Sequence, residues 1–212
     1  MFVRTESFKQ YIRLYPITSL LILANIVMLI LMEISGSSQE SITLLKFGAL
    51  FDLPDIQPEA WRYVSAIFLH IGVTHLLFNC FALCVFAPPL ELMLGKWRYA
   101  LLYVVCGIFG NLMSQWMHKD YFVSAGASGA IFGIYGAYLF LALFRKDIID
   151  SQTKKTIATI IGVGFISSIV VPNVDLYAHL GGFIGGLVVM ALISLSIRRR
   201  YRKRMEAEQR FS

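Results

Sequence analysis

Two short stretches hold the side chains best suited to covalent chemistry. Gly126-Ala127-Ser128-Gly129-Ala130-Ile131-Phe132-Gly133 sets a serine among small residues at the start of a long apolar segment. Further along, Tyr177-Ala178-His179-Leu180-Gly181-Gly182 sets a histidine near the start of another. A serine in an apolar helix commonly bonds back to its own turn, so alone it says little. A titratable imidazole in hydrocarbon is costly and marks a functional position by default. Together, a hydroxyl and an imidazole supply a nucleophile and the base that activates it. The pair predicts acyl-transfer chemistry, provided that the chain can bring both groups to one place.

A third segment, Leu69-His70-Ile71-Gly72-Val73-Thr74-His75-Leu76-Leu77-Phe78-Asn79, carries His75 and Asn79 at i and i+4, on one face of a helix. If the segment holding Ser128 becomes helical at that residue, it runs to Phe144 and is about 25 Å long at ~1.5 Å per residue. That is short for a hydrocarbon core of roughly 30 Å, so its N-terminus would lie below the membrane surface. A helix N-terminus offers unpaired N–H groups and a positive dipole end, which can stabilise an oxyanion beside the nucleophile. Gly126, Ala127 and Gly129 would let a substrate or another backbone approach. Gly133 and Gly186 fit close helix packing. Gly182, one turn after His179, could draw its helix against that of Ser128.

The remaining polar groups have simpler readings. His118 falls in a short loop and is expected to be solvated. His70 is expected to make a structural hydrogen bond. Glu91 and Arg98 flank a turn, where an ion pair or a cap would account for them. Asn25 and Glu33 are isolated and support no constellation. Asp175 is the only carboxylate near His179 in sequence, so a third member of a triad is not evident and a Ser128–His179 dyad is expected. No HExxH or carboxylate–histidine pattern predicts a metal, and no cofactor is implied.

These groups must be positioned by membrane helices. The chain has 212 residues, 57% hydrophobic and 15% charged, with a mean hydropathy of +0.67. Soluble domains are nearer half apolar and a quarter charged. Cys80, Cys84 and Cys106 lie inside apolar runs and read as packing residues without disulfide or metal spacing. The net charge of +6 does not imply nucleic acid. Seven of the nineteen basic residues sit in Arg198–Arg204 and Arg210, directly after an apolar run, as a membrane-flanking anchor would.

Six apolar runs approach the ~20 residues needed per crossing: Pro16 to Ile34, Tyr63 to Ala87 (ended by Pro88-Pro89), Tyr99 to Met117, Phe122 to Phe144, Ile157 to Val171 and Tyr177 to Ile197. Backbone in lipid must satisfy its own hydrogen bonds, and alternating barrel patterning is absent, so the fold class is an all-α polytopic bundle. The expected organisation is a short N-terminus at 1–15, a six-helix membrane domain at 16–197 and a basic tail at 198–212. The first fifteen residues are too polar for a cleaved signal peptide. Placing both termini in the cytoplasm puts sixteen basic residues inside and only Lys46, Arg62 and Lys119 outside. Runs two, four and six then travel from outside to inside, so His75, Asn79, Ser128 and His179 share one depth. The first outer loop, Ser35 to Trp61, contains an apolar stretch at residues 44–51. It either lies in the membrane interface or folds over the helix ends.

The ordered set resembles the rhomboid family of intramembrane serine proteases over about Trp61 to Gly186. The matching features are Trp61-Arg62, His75 and Asn79 in HxxxN, Glu91 followed by Gly95, Gly126-Ala127-Ser128-Gly129 with Gly133, and Ala178-His179 with Gly182 and Gly186. The resemblance implies a minimal bacterial type of six helices in the plasma membrane that cleaves transmembrane proteins. Ser128 would be the nucleophile and His179 the general base. His75, Asn79 and the Ser128 N–H would stabilise the oxyanion. Phe132 stands where some relatives carry a tyrosine packed on the histidine; it could stack but not donate a hydroxyl bond. The resemblance also makes the first outer loop partly immersed, and the fifth helix, Ile157 to Val171, part of a lateral substrate gate. A non-catalytic member that binds membrane proteins for quality control would be expected to lack the nucleophile or base, whereas all four polar groups are present. A small transporter would need polar groups through the depth of the bundle.

Overall fold

The computed structural model describes residues 2, 5–53, 56–118, 121–145 and 148–210, with side chains described as far as Arg199. Arg4, Lys119, Lys146 and the side chains of the tail from Arg200 to Arg210, all used in the charge reading, lie outside the described residues. The helices are α1 (Phe8–Leu14), α2 (Pro16–Ser35), α3 (Ser41–Phe47), α4 (Arg62–Ser65), α5 (Gly72–Leu94), α6 (Lys96–Met117), α7 (Ser128–Phe144), α8 (Ser151–Val170) and α9 (Leu176–Arg210). Two short strands, β1 (Leu50–Asp52) and β2 (Phe122–Ser124), pair antiparallel, with Phe51 opposite Val123. Among the described residues, five helices are long and apolar enough to cross a membrane: α2, α5, α6, α8 and the first 24 residues of α9. The sixth, α7, has 17 residues, the short length expected of a helix that begins at Ser128.

The architecture follows from α7. Every residue from Gly129 to Tyr138 is buried, so this helix is enclosed on all sides. Its glycines let α9 approach to backbone distance. A Cβ placed on Gly182 would lie 1.9 Å from Gly129 O, and one on Gly186 would lie 2.0 Å from Gly133 O. A Cβ on Gly136 would lie 2.1 Å from Phe183 O, so the seam runs through the first half of α7, from Gly129 to Gly136. Small residues permit such contact where lipid offers no hydrophobic drive for association. The two helices share a core with Tyr99, Leu102, Tyr103 and Cys106 of α6 and Leu83, Ala87 and Leu90 of α5.

Some boundaries differ from the sequence reading. Run two begins as a helix at Gly72, because Tyr63 belongs to α4 and residues 66–68 form a single 3₁₀ turn. Pro88 and Pro89 do not end it; α5 continues to Leu94. Pro88 removes the N–H that would bond Cys84 O, and that carbonyl instead accepts from the Tyr11 hydroxyl at 3.2 Å. A neighbouring helix that refills the missing bond is how membrane helices tolerate proline. Glu91 pairs with α2, not with Arg98. Buried at 3% exposure, it accepts from Ile17 N (2.8 Å), Thr18 N (2.9 Å) and Thr18 Oγ1 (2.7 Å). It caps a helix whose own N-cap, Tyr15, supplies no side-chain bond.

The first loop is folded over the helix ends. Leu44, Ala49, Leu50 and Phe51 are buried, and Leu44 and Ala49 join a second small core with Leu29, Met32, Leu69, Leu76 and Ala125. Arg62 fastens it by donating to Leu45 O (2.8 Å) and Ala49 O (3.1 Å) while its guanidinium lies over the Phe51 and Trp61 rings. Strand β1 also holds β2, and β2 leads directly into the Gly126–Ser128 turn.

Candidate active site

The N-terminal ends of α5, α7 and α9 meet at one end of the bundle. Ser128 is the first residue of α7, half-buried, after the N-cap Ala127, which makes no side-chain cap bond. The first intrahelical donor is Ile131 N, to Ala127 O at 3.0 Å. The N–H groups of Ser128, Gly129 and Ala130 therefore have no acceptor within their helix. Gly126 N donates to Ala66 O at 2.9 Å, which pins the turn.

His75 stands over that turn. A point one Cβ bond from Gly126 lies 3.1 Å from His75 Nε2 and 3.5 Å from Ser128 Oγ, so the two polar atoms flank one small space. Gly126, at φ +154°, keeps that space open, since a side chain there would also come within 2.8 Å of His75 Cε1. His75 Nδ1 accepts from Ile71 N at 3.4 Å. A neutral imidazole that accepts at Nδ1 carries its proton on Nε2. The nitrogen over Gly126 is thus a donor.

Asn79, one turn deeper and buried, donates from Nδ2 to His75 O at 3.0 Å. One of its two amide hydrogens is occupied in this way. His70 is fully buried, with its ring edge-on to His75 at 5.2 Å. The expected structural hydrogen bond is not formed: neither ring nitrogen has a sound partner among the described residues, and Phe68 backbone gives only a weak polar contact. Burial, with His75 nearby, lowers its pKa to about 3, so it is neutral at ordinary pH.

His179 sits in the first turn of α9, 6% exposed. Phe132, one turn beyond Ser128, lies flat on its ring at 4.0 Å centroid distance and 9° between planes. Phe165 of α8 meets Phe132 edge-on at 5.0 Å and so backs the stack. His179 Nδ1 lies 2.6 Å from Ser168 Oγ, also on α8. No hydrogen bond joins Ser128 Oγ to His179 in this structure. Such bonds often tighten only when substrate is bound. What the fold supplies is two adjoining helices, one starting at Ser128 and the other holding His179, joined through Gly129 and Gly182 and through Phe132.

Asp175 does not reach His179. It caps α9 by accepting from Ala178 N at 2.9 Å. It also takes hydrogen bonds from Ser114 Oγ of α6 and from Ser124 Oγ of β2 at 3.1 Å, and pairs with His118 Nε2 at 3.3 Å. His118 is accordingly not a free loop residue. Its ring stacks on Phe122 at 4.6 Å and meets Tyr177 edge-on at 5.1 Å. Together these contacts tie the first turn of α9 to α6 and β2.

A model of the Rhomboid domain matches residues 57–196. The chain belongs to the rhomboid family. The YdcA protein of Bacillus subtilis (strain 168) is 37% identical over 205 residues, which cover 95% of this chain and 100% of YdcA. Rhomboid protease GluP of the same organism is 39% identical over 178 residues, 84% of this chain but 35% of GluP. Rhomboid-type serine protease 2 of Emericella nidulans is 35% identical over 150 residues, 67% of this chain and 28% of that protein.

One residue of this rhomboid's site escaped the sequence reading, and another has partners that the sequence did not reveal. Ser168 is one of a serine pair, Ser167-Ser168, near the end of an apolar run, where back-bonding to the helix is the ordinary account. It meets His179 across a turn between two helices, a relation that no helical periodicity reveals. Asp175 was weighed as a partner for His179, whereas its contacts come from Ser114, Ser124 and His118, far away in sequence.

Proposed function

We propose that this rhomboid is an intramembrane serine endopeptidase that cleaves transmembrane proteins, with Ser128 as nucleophile and His179 as general base. The observation that carries the reading is the convergence of Ser128, His75 and His179 at one end of a family-matched bundle. Ser128 Oγ attacks the scissile carbonyl carbon and its proton passes to His179 Nε2. The oxyanion receives the Ser128 N–H and His75 Nε2–H, with the second amide hydrogen of Asn79 as a further donor. His179 then protonates the departing amine. Water, deprotonated by the same imidazole, hydrolyses the acyl-enzyme and restores Ser128. The reaction uses no metal or cofactor in this reading.

The basic residues favour a multi-pass protein of the plasma membrane with both termini in the cytoplasm, 16–197 as the membrane domain and the site towards the outer face. Its partners are then transmembrane substrates and lipid, not nucleic acid. One experiment addresses both activity and orientation: labelling of intact cells with a membrane-impermeant fluorophosphonate. Wild type should label at Ser128, while Ser128→Ala and His179→Ala should lose labelling and cleavage but remain folded. Turnover by purified Ser128→Ala would overturn the nucleophile. Labelling that required permeabilised cells would reverse the orientation.

A further inference from the structure

Helix α8 is the least embedded of the spanning helices. Only Thr153, Ile157 and Ser168 are buried along its 20 residues, while Val163, Ile166, Ile169 and Val170 are exposed. It is therefore notable where its one buried polar group in the last turn goes. Ser168 is 4% exposed, and its Oγ lies 2.6 Å from His179 Nδ1. The same Oγ lies 2.7 Å from Gly164 O, one turn back on α8, and donates to it.

A hydroxyl has one proton and two lone pairs. With its proton given to Gly164 O, Ser168 faces His179 Nδ1 with a lone pair, and the short contact requires the proton to sit on Nδ1. A neutral imidazole protonated at Nδ1 is unprotonated at Nε2, the nitrogen that must accept the Ser128 proton. Asp175 cannot take this place, since its carboxylate is held by Ser114, Ser124, His118 and Ala178 N. Phe132 covers the ring face and offers no hydrogen bond.

We propose that Ser168 is a positioning residue that accepts the Nδ1–H of His179 and so fixes the tautomer and ring orientation of the base. The proposal rests on the reading of Ser128 and His179 as nucleophile and base. It makes the site a Ser128–His179–Ser168 chain with a neutral third member. When His179 takes the Ser128 proton on Nε2, the imidazolium keeps its Nδ1–H bonded to Ser168 Oγ, and the proton later leaves from Nε2 to the amine. The opposite tautomer, with Ser168 donating to Nδ1, would leave Nε2 protonated and unable to act as base.

The test uses the full-length protein, purified in lipid bilayers, and a soluble fluorophosphonate. Ser128 Oγ bonds phosphorus, fluoride leaves, and the serine proton goes to His179, so the maximal labelling rate reads the base directly. Ser168→Ala should lower that rate on the order of 10–100-fold, as removal of a ligand-orienting partner does. The half-saturating probe concentration should stay unchanged. Ser168→Thr, which retains the hydroxyl, should restore most of the rate; Ser168→Val, of similar volume to threonine, should not. In ¹⁵N spectra of histidine-labelled protein, His179 should be protonated at Nδ1 in wild type. Wild-type labelling rates in Ser168→Ala and Ser168→Val, or dominant Nε2 protonation of His179 in wild type, would overturn the proposal. Equal rate losses in the Thr and Val variants would also overturn it, because packing would then explain the effect. If wild type failed to label at Ser128 at all, the underlying assignment of nucleophile and base would fall instead.

Discussion

Helices α8 and α9 both touch α7 beside the site, yet they are held in opposite ways. Along α9, glycine meets carbonyl, so the separation of the two backbones is fixed by atoms that have no rotamers to change. Along α8, the contacts are side chains: Phe165 edge-on to Phe132 and to Phe183 at 5.3 Å, Ile157 in the core, and Ser168 on His179. The contrast teaches how one bundle can combine a seam fixed by backbone contact with a wall held by side chains, which have rotamers to change. The serine and histidine are carried on the fixed pair, and the orienting hydroxyl is carried on the wall.

The seam is where a single atom should do most damage. Gly182→Ala places a methyl 1.9 Å from Gly129 O, and neither backbone can withdraw without moving its helix. Overpacking of this sort costs about 1–3 kcal/mol and shifts backbone. Thermal unfolding in detergent should show a clear loss of stability, and cleavage should fall to background. A Gly182→Ala variant with wild-type stability and rate would mean that the seam is not fixed.

A smaller effect is expected at the donors on α5. His75→Ala removes the Nε2–H over Gly126 and should lower kcat about 10²–10³-fold, with little change in KM. Asn79→Ala should cost less, because part of its amide is engaged with His75 O. Both variants should still form the fluorophosphonate adduct at Ser128, more slowly. Equal wild-type kcat in both would remove them from the oxyanion site.

The smallest effect should come from loosening the wall. Phe165→Ala removes the contacts with Phe132 and Phe183. If α8 must yield for a transmembrane segment to enter, cleavage of such a substrate should rise a few-fold. Labelling by a small fluorophosphonate, which needs no such opening, should change little. A parallel fall in both rates would instead place Phe165 in support of the Phe132–His179 stack.

The legibility of this molecule in its sequence divides along the same contrast. The bundle, the short helix beginning at Ser128 and the close approach through Gly182 could all be read, because apolar length and small-residue spacing are local patterns. Stacking of Phe132 on His179 was left open by the sequence, raised only by the resemblance, and is settled by the structure. The roles of Ser168, Asp175 and His118 were not, because each depends on which helix ends meet. The proline pair misled for a related reason: Pro88 breaks a bond within α5, and the group that replaces it, Tyr11, comes from another helix. Glu91 was placed in a cap or ion pair at its own turn, while its acceptor oxygens serve the start of α2.

That last contact bears on the order in which the chain is made. Ile17 and Thr18 leave the ribosome well before Glu91, which stands 74 and 73 positions later. Until Glu91 arrives, the beginning of α2 has no carboxylate to satisfy it, and until α5 is in place Tyr11 has no Cys84 carbonyl to meet. Helix α2 can enter the membrane early, but its N-terminal end is finished only when α5 is complete. The segment from Tyr11 to Thr18 therefore acts as a late fastening for the bundle, despite being synthesised before α5.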